Sequence, residues 1–402
     1  MKKGQLHRRL MMGLAYALGM AILLSAISHG IAWRPTVLQM EHAVYDGVQR
    51  CFALDEYQTE RRYETLPRLL DEILLVNTDP SMIDPETDRL RRDCLAHLMG
   101  AMHRQLSPKA VFLDFEFSPI KHSPSLDKML ADSLQLWKGR LVLPYGLPPD
   151  EFEYGQIGGK LPMPTLVDTV NQRGYLDHRF LVDRDVIHRY VQVGRADDSL
   201  LSAAWALLKV RQQNEQDFRW PEGIPSFFEI KFLLRNQPKG RMAALPFVNA
   251  RDLLAGTEQD LSDKKVVFVG LFENYQNKYQ LFVDQFQTPV SNQMNGAYLI
   301  VNTYLNMVMD AYLRPLSWHM VLVLNLCLVL LRMFYSECQC RDWRLPKYLA
   351  IFLGMLVLLG GLVALFSFCH LKFPFVLTSA YWVSHSSLYE WFRNRYFQKT
   401  NV

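Results

Sequence analysis

Asp71-Glu72-Ile73-Leu74-Leu75-Val76-Asn77-Thr78-Asp79-Pro80-Ser81 is the stretch on which the reading of this chain turns. Its apolar residues are contiguous, partly β-branched, and halted by Asp-Pro. That pattern suits a strand buried on both faces better than a helix. From about Glu86 to Gln105, the residues Leu90, Cys94, Leu95, Leu98, Met99 and Met102 recur at three- and four-residue spacings, which predicts an amphipathic helix. Ser107-Pro108 ends that helix. Ala110 to Phe117 then reads as a second buried strand, stopped by Ser118-Pro119. Strand, helix, strand with short turns is a βαβ unit and implies parallel pairing.

Working outward, residues 36–52 place Val37, Met40, Val44, Val48 and Phe52 on one stripe and predict a further amphipathic helix. Asp127 to Trp137 predicts a helix, Arg140 to Pro144 a third strand, and residues 144–165, rich in Pro and Gly, an irregular excursion. Gly174-Tyr175-Leu176 and Asp183 to Val193 suggest a strand pair around a turn. Leu200 to Val210 predicts a helix and Phe228 to Leu234 a strand. A short helix and turn follows over 252–262. Lys264 to Gly270 carries the cleanest strand signal in the chain, and Asn295 to Met309 returns as a helix.

Half of the 402 residues are hydrophobic and the formal net charge is +4. No basic run with interleaved aromatics occurs, so nucleic acid is not an expected partner. The apolar residues concentrate at the two ends of the chain. Leu10 to Ala32 is long enough for a bilayer core, which needs about 20 residues. A cleaved signal peptide competes with that reading, but the apolar run continues past the small-residue site at Ala15-Tyr16-Ala17, which favours an uncleaved anchor. Three more crossings are expected at 318–334, 348–369 and 373–388, the last being the weakest. Lys2, Lys3, Arg8 and Arg9, then Arg332, Arg341, Arg344 and Lys347, then Arg393, Arg395 and Lys399, fall on one side of such an arrangement. The positive-inside rule puts both termini and the 389–402 tail in the cytoplasm and residues 33–317 outside it. The expected architecture is an α/β extracytoplasmic domain with a mostly parallel sheet flanked by helices, plus four transmembrane helices in a plasma membrane. Small residues four apart at Gly13, Ala17 and Ala21 suit close helix packing and a possible homo-oligomer, or simply reflect membrane-helix composition.

Six scattered cysteines make no disulfide framework. Cys51 and Cys94 read as buried free thiols, with pairing in an oxidising compartment as the alternative. Cys338-Gln339-Cys340 is a weak metal signal without a second ligand pair. No dinucleotide fingerprint, Walker loop, zinc-protease or nucleophile-elbow motif occurs, so no cofactor and no catalytic residue is assigned. Ser-x-x-Lys at Ser125–Lys128 and Ser262–Lys265 reads as chance, and His97 and His103 as surface or capping residues. The stronger constellation is acidic: Asp79 after the first strand, Asp114 and Glu116 in the second, and Asp284 with Thr288 in the segment after the Lys264–Gly270 strand. Open α/β sheets bind ligands at the carboxyl ends of their strands, so these five are the candidate ligand-binding residues; the metal, if any, is open. The competing reading makes them caps and turn formers.

These motifs follow a recognisable order. Leu75 to Ser81 resembles the early strand-Asp-x-x-Ser stretch of the second class of CHASE extracellular sensor domains. Ser107 to Phe117 looks like that family's Lys-Ala-Val strand, and Asp183-Arg184-Asp185-Val186-Ile187-His188-Arg189 is similar to its Asp-x-Asp-Gly-x-x-Arg turn, with Val186 in place of Gly. Lys265 to Gly270, Asp284, Thr288-Pro289 and Asn295-Gly296 to Asn302 look like its closing block. The resemblance spans roughly residues 40–312. It implies a membrane-anchored sensor of an unknown ligand. Family members commonly continue into a cytoplasmic kinase or cyclase, whereas this sequence ends about a dozen residues past its last apolar segment. The expectation is therefore a receptor or accessory signalling subunit that relays to a separate effector or complex. The alternatives are a structural scaffold of an envelope complex and an extracytoplasmic metal-dependent hydrolase.

Overall fold

The computed structural model describes residues 3–31, 35–52, 66–84, 89–115, 124–145, 172–175, 180–183, 186–191, 201–219, 224, 227–234, 245–256, 261–272, 285–288, 291–339, 347–369, 371–372 and 374–396. Its helices are α1 (Lys3–Ile31), α2 (Pro35–Phe52), α3 (Leu66–Asp71), α4 (Arg92–Gln105), α5 (Pro124–Gln135), α6 (Ala203–Asn214), α7 (Ala250–Ala255), α8 (Gly296–Val308), α9 (Trp318–Gln339), α10 (Lys347–Phe368) and α11 (Phe375–Tyr396). The strands that build the main sheet are β1 (Ile73–Asn77), β4 (Ala110–Leu113), β5 (Leu141–Tyr145), β6 (Gln172–Tyr175), β9 (Leu201–Ser202), β11 (Phe247–Asn249) and β12 (Val266–Gly270). A second sheet holds β7 (Phe180–Asp183), β8 (Val186–Val191), β10 (Phe227–Glu229), β13 (Gln285–Thr288) and β14 (Ser291–Asn295). Two-residue ladders join β2 (Ile83–Asp84) to β3 (Arg89–Leu90) and β15 (Arg314–Pro315) to β16 (Leu371–Lys372). The chain divides into two units, residues 49–312 and residues 1–48 with 313–402.

The unit 49–312 is built on a seven-stranded sheet of order β11-β1-β12-β4-β5-β6-β9, parallel at every pairing. Alternation along each strand sends side chains to opposite faces. Leu74, Val76, Val111, Leu113, Val267 and Val269 meet α4, α5 and α7 on one face. Ile73, Leu75, Ala110, Phe112, Val266 and Phe268 meet α6 and α8 on the other. Both faces are covered, so these strands read as unbroken apolar runs. α8 is buried from Gly296 to Met307, which explains why its sequence lacks a polar face.

Four expectations change here. The first and second strands are parallel but not neighbours: β12, some 150 residues later in sequence, lies between them. β4 also ends at Leu113, leaving Asp114 just beyond the strand. The segment 228–234 contributes only Phe228 and Glu229 to a sheet, as the end of β10. Beyond Glu229, buried extended backbone is satisfied by side-chain amides. Asn302 Oδ1 accepts from Leu233 and Leu234 N, both at 2.9 Å, and its Nδ2 donates to Leu234 O at 3.2 Å. Asn306 accepts from Lys231 N at 2.9 Å and donates to Lys231 O at 2.7 Å, while Gln49 Oε1 accepts from Phe232 N at 3.1 Å. Two asparagines four apart on α8 thus replace a strand partner. Gly174 and Tyr175 join the main sheet, and the antiparallel hairpin is β7–β8 around residues 183–186. α8 ends on a six-to-one bond from Ala311 N to Asn306 O, with Asp310 in the left-handed region at φ 51°.

In the other unit, α1 runs beside α9 and α11. Asn325 Nδ2 on α9 donates to Ser25 Oγ on α1 at 3.0 Å, both side chains buried. Ala17, Val329 and Tyr381 form a small core. A Cβ on Gly354 of α10 would collide with the Trp382 indole of α11, so only glycine admits this approach. Among the described residues, Met11–Ser28 is the one apolar helical stretch of 18 residues, enough for a membrane span or a signal sequence. Trp318–Phe334 and Phe352–Phe366 are shorter apolar stretches within helices of 22 residues. Four crossings are therefore not established by length and apolarity.

Candidate functional site

The neighbours of β12 connect onward through α4 and α5 on one face, whereas the chain leaving β12 returns as α8 on the other. Divergence of connections to opposite faces opens a crevice at the carboxyl end of a parallel sheet. Gly270, the last residue of β12, sits there, with Asn77 of β1 as its register partner on one side and Asp114 after β4 on the other.

Three observations define that edge. Asn77 donates to Asn249 Oδ1 at 3.1 Å and accepts from Phe272 N at 3.0 Å, tying β11, β1 and the exit of β12 together. Thr78 donates to Gly270 O through both its backbone N at 2.9 Å and its hydroxyl at 3.2 Å. A Cβ on Gly270 would lie 3.1 Å from Asp114 Cβ, 3.4 Å from Asp114 Oδ2 and 3.3 Å from Ala297 Cβ. Gly270 thus makes room for the Asp114 carboxylate beside the first turn of α8, where the helix dipole favours a negative charge.

Asp79 has a different role. Its Oδ1 accepts from Ser81 N at 2.8 Å, its backbone O accepts from Met82 N at 2.8 Å, and its Oδ2 lies 3.1 Å from Arg251 Nη2. The Ser81 amide, chiefly, holds its carboxyl below the usual range. The turn-forming reading of Asp79 accounts for these contacts. Thr288 lies in β13 of the second sheet, opposite Ser291, and is buried at 1% exposure. Glu116 and Asp284 lie outside the described residues. Sequence reasoning passed over Asn77, Asn249 and Arg251. The available signal was a polar residue directly ending an apolar run at Asn77.

The opposite, amino-terminal edge holds a second polar cluster. Arg211 of α6 bonds Glu72 and Glu215 and donates to Tyr304 Oη at 2.8 Å, with its guanidinium 4.3 Å above the Phe218 ring. Lys265 Nζ lies 2.6 Å from Glu215 and 2.8 Å from Glu72. Two cations and two carboxylates balance, so the cluster is charge-neutral. Lys265 is committed to it. His103 packs edge-on to the buried Trp137 at 5.3 Å, and Cys94 is a free thiol. Among the described residues, no group of three His, Cys, Asp or Glu side chains is placed to hold a metal.

Comparison with protein-family models, curated proteins and solved structures finds no match.

Proposed function

We propose that this chain is a membrane-anchored sensor or accessory signalling subunit whose α/β domain lies outside the cytoplasm and binds a small ligand or partner at the carboxyl edge of its sheet. The observation that carries the reading is Asp114 set against Gly270 at the point where connections diverge, in a domain whose two ends both continue into apolar helices. Four helices would cross the bilayer: α9, α10 and α11 each have 22 residues, about 33 Å at 1.5 Å per residue. The ordered motifs resembling the second class of CHASE domains support the same reading, and output would pass to a separate effector. The test pairs topology with partner capture. Reporter fusions after Leu200 and at the carboxyl terminus should report opposite faces of the membrane, and mild-detergent purification should bring down a cytoplasmic effector whose response is lost in Asp114→Asn. Fusions on the same face remove the reading.

A scaffold without ligand switching is the second reading. The contacts of Asp79 favour it, since they make that residue a turn former. Unchanged function in Asp114→Asn with normal assembly would select it.

A further inference from the structure

Two chain segments join the α/β domain to the apolar helices: α2 on the amino-terminal side and residues 313–317 on the carboxyl-terminal side. Within the helical unit both are fastened to one place, the turn between α10 and α11. From α2, Glu41 is 7% exposed and its carboxylate accepts from Phe375 N at 3.2 Å and Val376 N at 2.8 Å, the opening amides of α11. Tyr45, one turn along α2, carries Lys372 Nζ 4.9 Å from its ring centroid and packs on Phe366 at 6.0 Å. From the other segment, β15 pairs in parallel with β16, and Leu316 N donates to Lys372 O at 2.9 Å. One turn thus holds a side-chain clasp from one segment and a backbone ladder from the other.

We propose that this turn is a coupling joint and that Glu41 is its positioning residue, holding the start of α11 to α2 so that a change in the α/β domain reaches α11 through both segments. The inference rests on the sensor reading. A carboxylate at a helix amino terminus is ordinarily favoured as the anion. Here burial outweighs the two amides and nearby Lys372, and pushes the Glu41 carboxyl up.

The test uses the full chain in phosphatidylcholine vesicles, with hydrogen exchange read at the first turn of α11. Glu41→Ala should speed exchange there on the order of tenfold to a hundredfold, the loss expected for hydrogen bonds to a charged group. Glu41→Gln keeps one carbonyl acceptor and should fall between, and it carries the test if Glu41→Ala does not fold. Coupling is read by adding Arg211→Met, which perturbs only the α/β domain. That substitution should speed exchange at the start of α11 when Glu41 is present and add nothing when it is replaced. Exchange at α11 that ignores Arg211→Met, or that is unchanged in both Glu41 variants, overturns the joint. An effector that co-purifies while α11 stays indifferent removes the joint and leaves the sensor reading standing. Coupling without any effector does the reverse.

Discussion

Replacing Arg211 by Met removes one cation from a cluster in which Arg211 is 3% exposed and Glu215 is 12% exposed. Breaking a buried ion pair from one side costs about 3–5 kcal/mol, because the remaining charge is left without compensation. Two features adjust that figure. Lys265 stays within 2.8 Å of both Glu72 and Glu215, so each carboxylate keeps one counter-ion. Against this, the Tyr304 hydroxyl, on a fully buried residue, loses the guanidinium that donates to it, a loss of about 1–3 kcal/mol for a buried group left short of a partner. The expected destabilisation is about 2–4 kcal/mol. Since a domain of this size shifts by roughly 2–4 °C per kcal/mol, the domain should melt about 5–15 °C lower. The effect has a pH signature. Burial raises the Glu215 carboxyl, but hydrogen bonds from Arg211 and Lys265 prevail and hold it below the usual range. A depressed folded-state value contributes stability above the unfolded-state value and loses it as pH falls through the folded one. The gap between wild type and Arg211→Met should therefore be widest near neutrality and narrow in acid. Urea titration of the intact protein in mild detergent, read by pulse proteolysis of the α/β domain, measures both. Adding Glu215→Gln to Arg211→Met should recover at least about 1 kcal/mol, because Lys265 and Glu72 then balance. A single variant within about 0.5 kcal/mol of wild type at neutral pH would refute the argument, since it would mean that the cluster is solvated.

Asp310→Val should lower domain stability by about 1–2 kcal/mol in the same assay, because a β-branched side chain resists the left-handed turn at φ 51°, whereas Asp310→Gly should be tolerated. Gly354→Leu should separate α10 from α11 by displacing the Trp382 indole, seen as a lower melting temperature in detergent and a shift in tryptophan emission. Asp79→Ala should cost about 1 kcal/mol by opening the Ser81 turn, while Asp79→Asn should cost less. The wild-type advantage over Ala should fade as pH drops through the depressed Asp79 value, checked by acid titration of stability. On the sensor proposal, Gly270→Val should impair the effector response as Asp114→Asn does, because its side chain would displace Asp114.

Local information sufficed where the signal is local. An unbroken apolar run such as 73–76 or 266–269 can be satisfied only by burial on both faces, so β1 and β12 are legible as interior strands of a helix-covered sheet. Asp79 and Asp114 were legible as strand-end carboxylates for the same reason. Their separate roles were not. Asp79 became a turn former through Ser81 and Arg251, while Asp114 acquired its place from Gly270 and Ala297, residues far away in sequence. Thr288 read as an edge residue because it follows the Lys264–Gly270 strand; its place in the second sheet was not legible.

By itself, then, the sequence determined the element types, the parallel βαβ start and the apolar character of the two ends, because side-chain periodicity is written residue by residue. Tertiary structure alone decided that β12 inserts between β1 and β4, and that α8 asparagines stand in for a strand. It also decided that Glu72, Arg211, Glu215, Lys265 and Tyr304 meet at one edge. The physical reason is that backbone hydrogen bonds and burial are indifferent to which apolar run pairs with which. That choice is made by whole-domain packing, and polar side chains find their partners only after it is made.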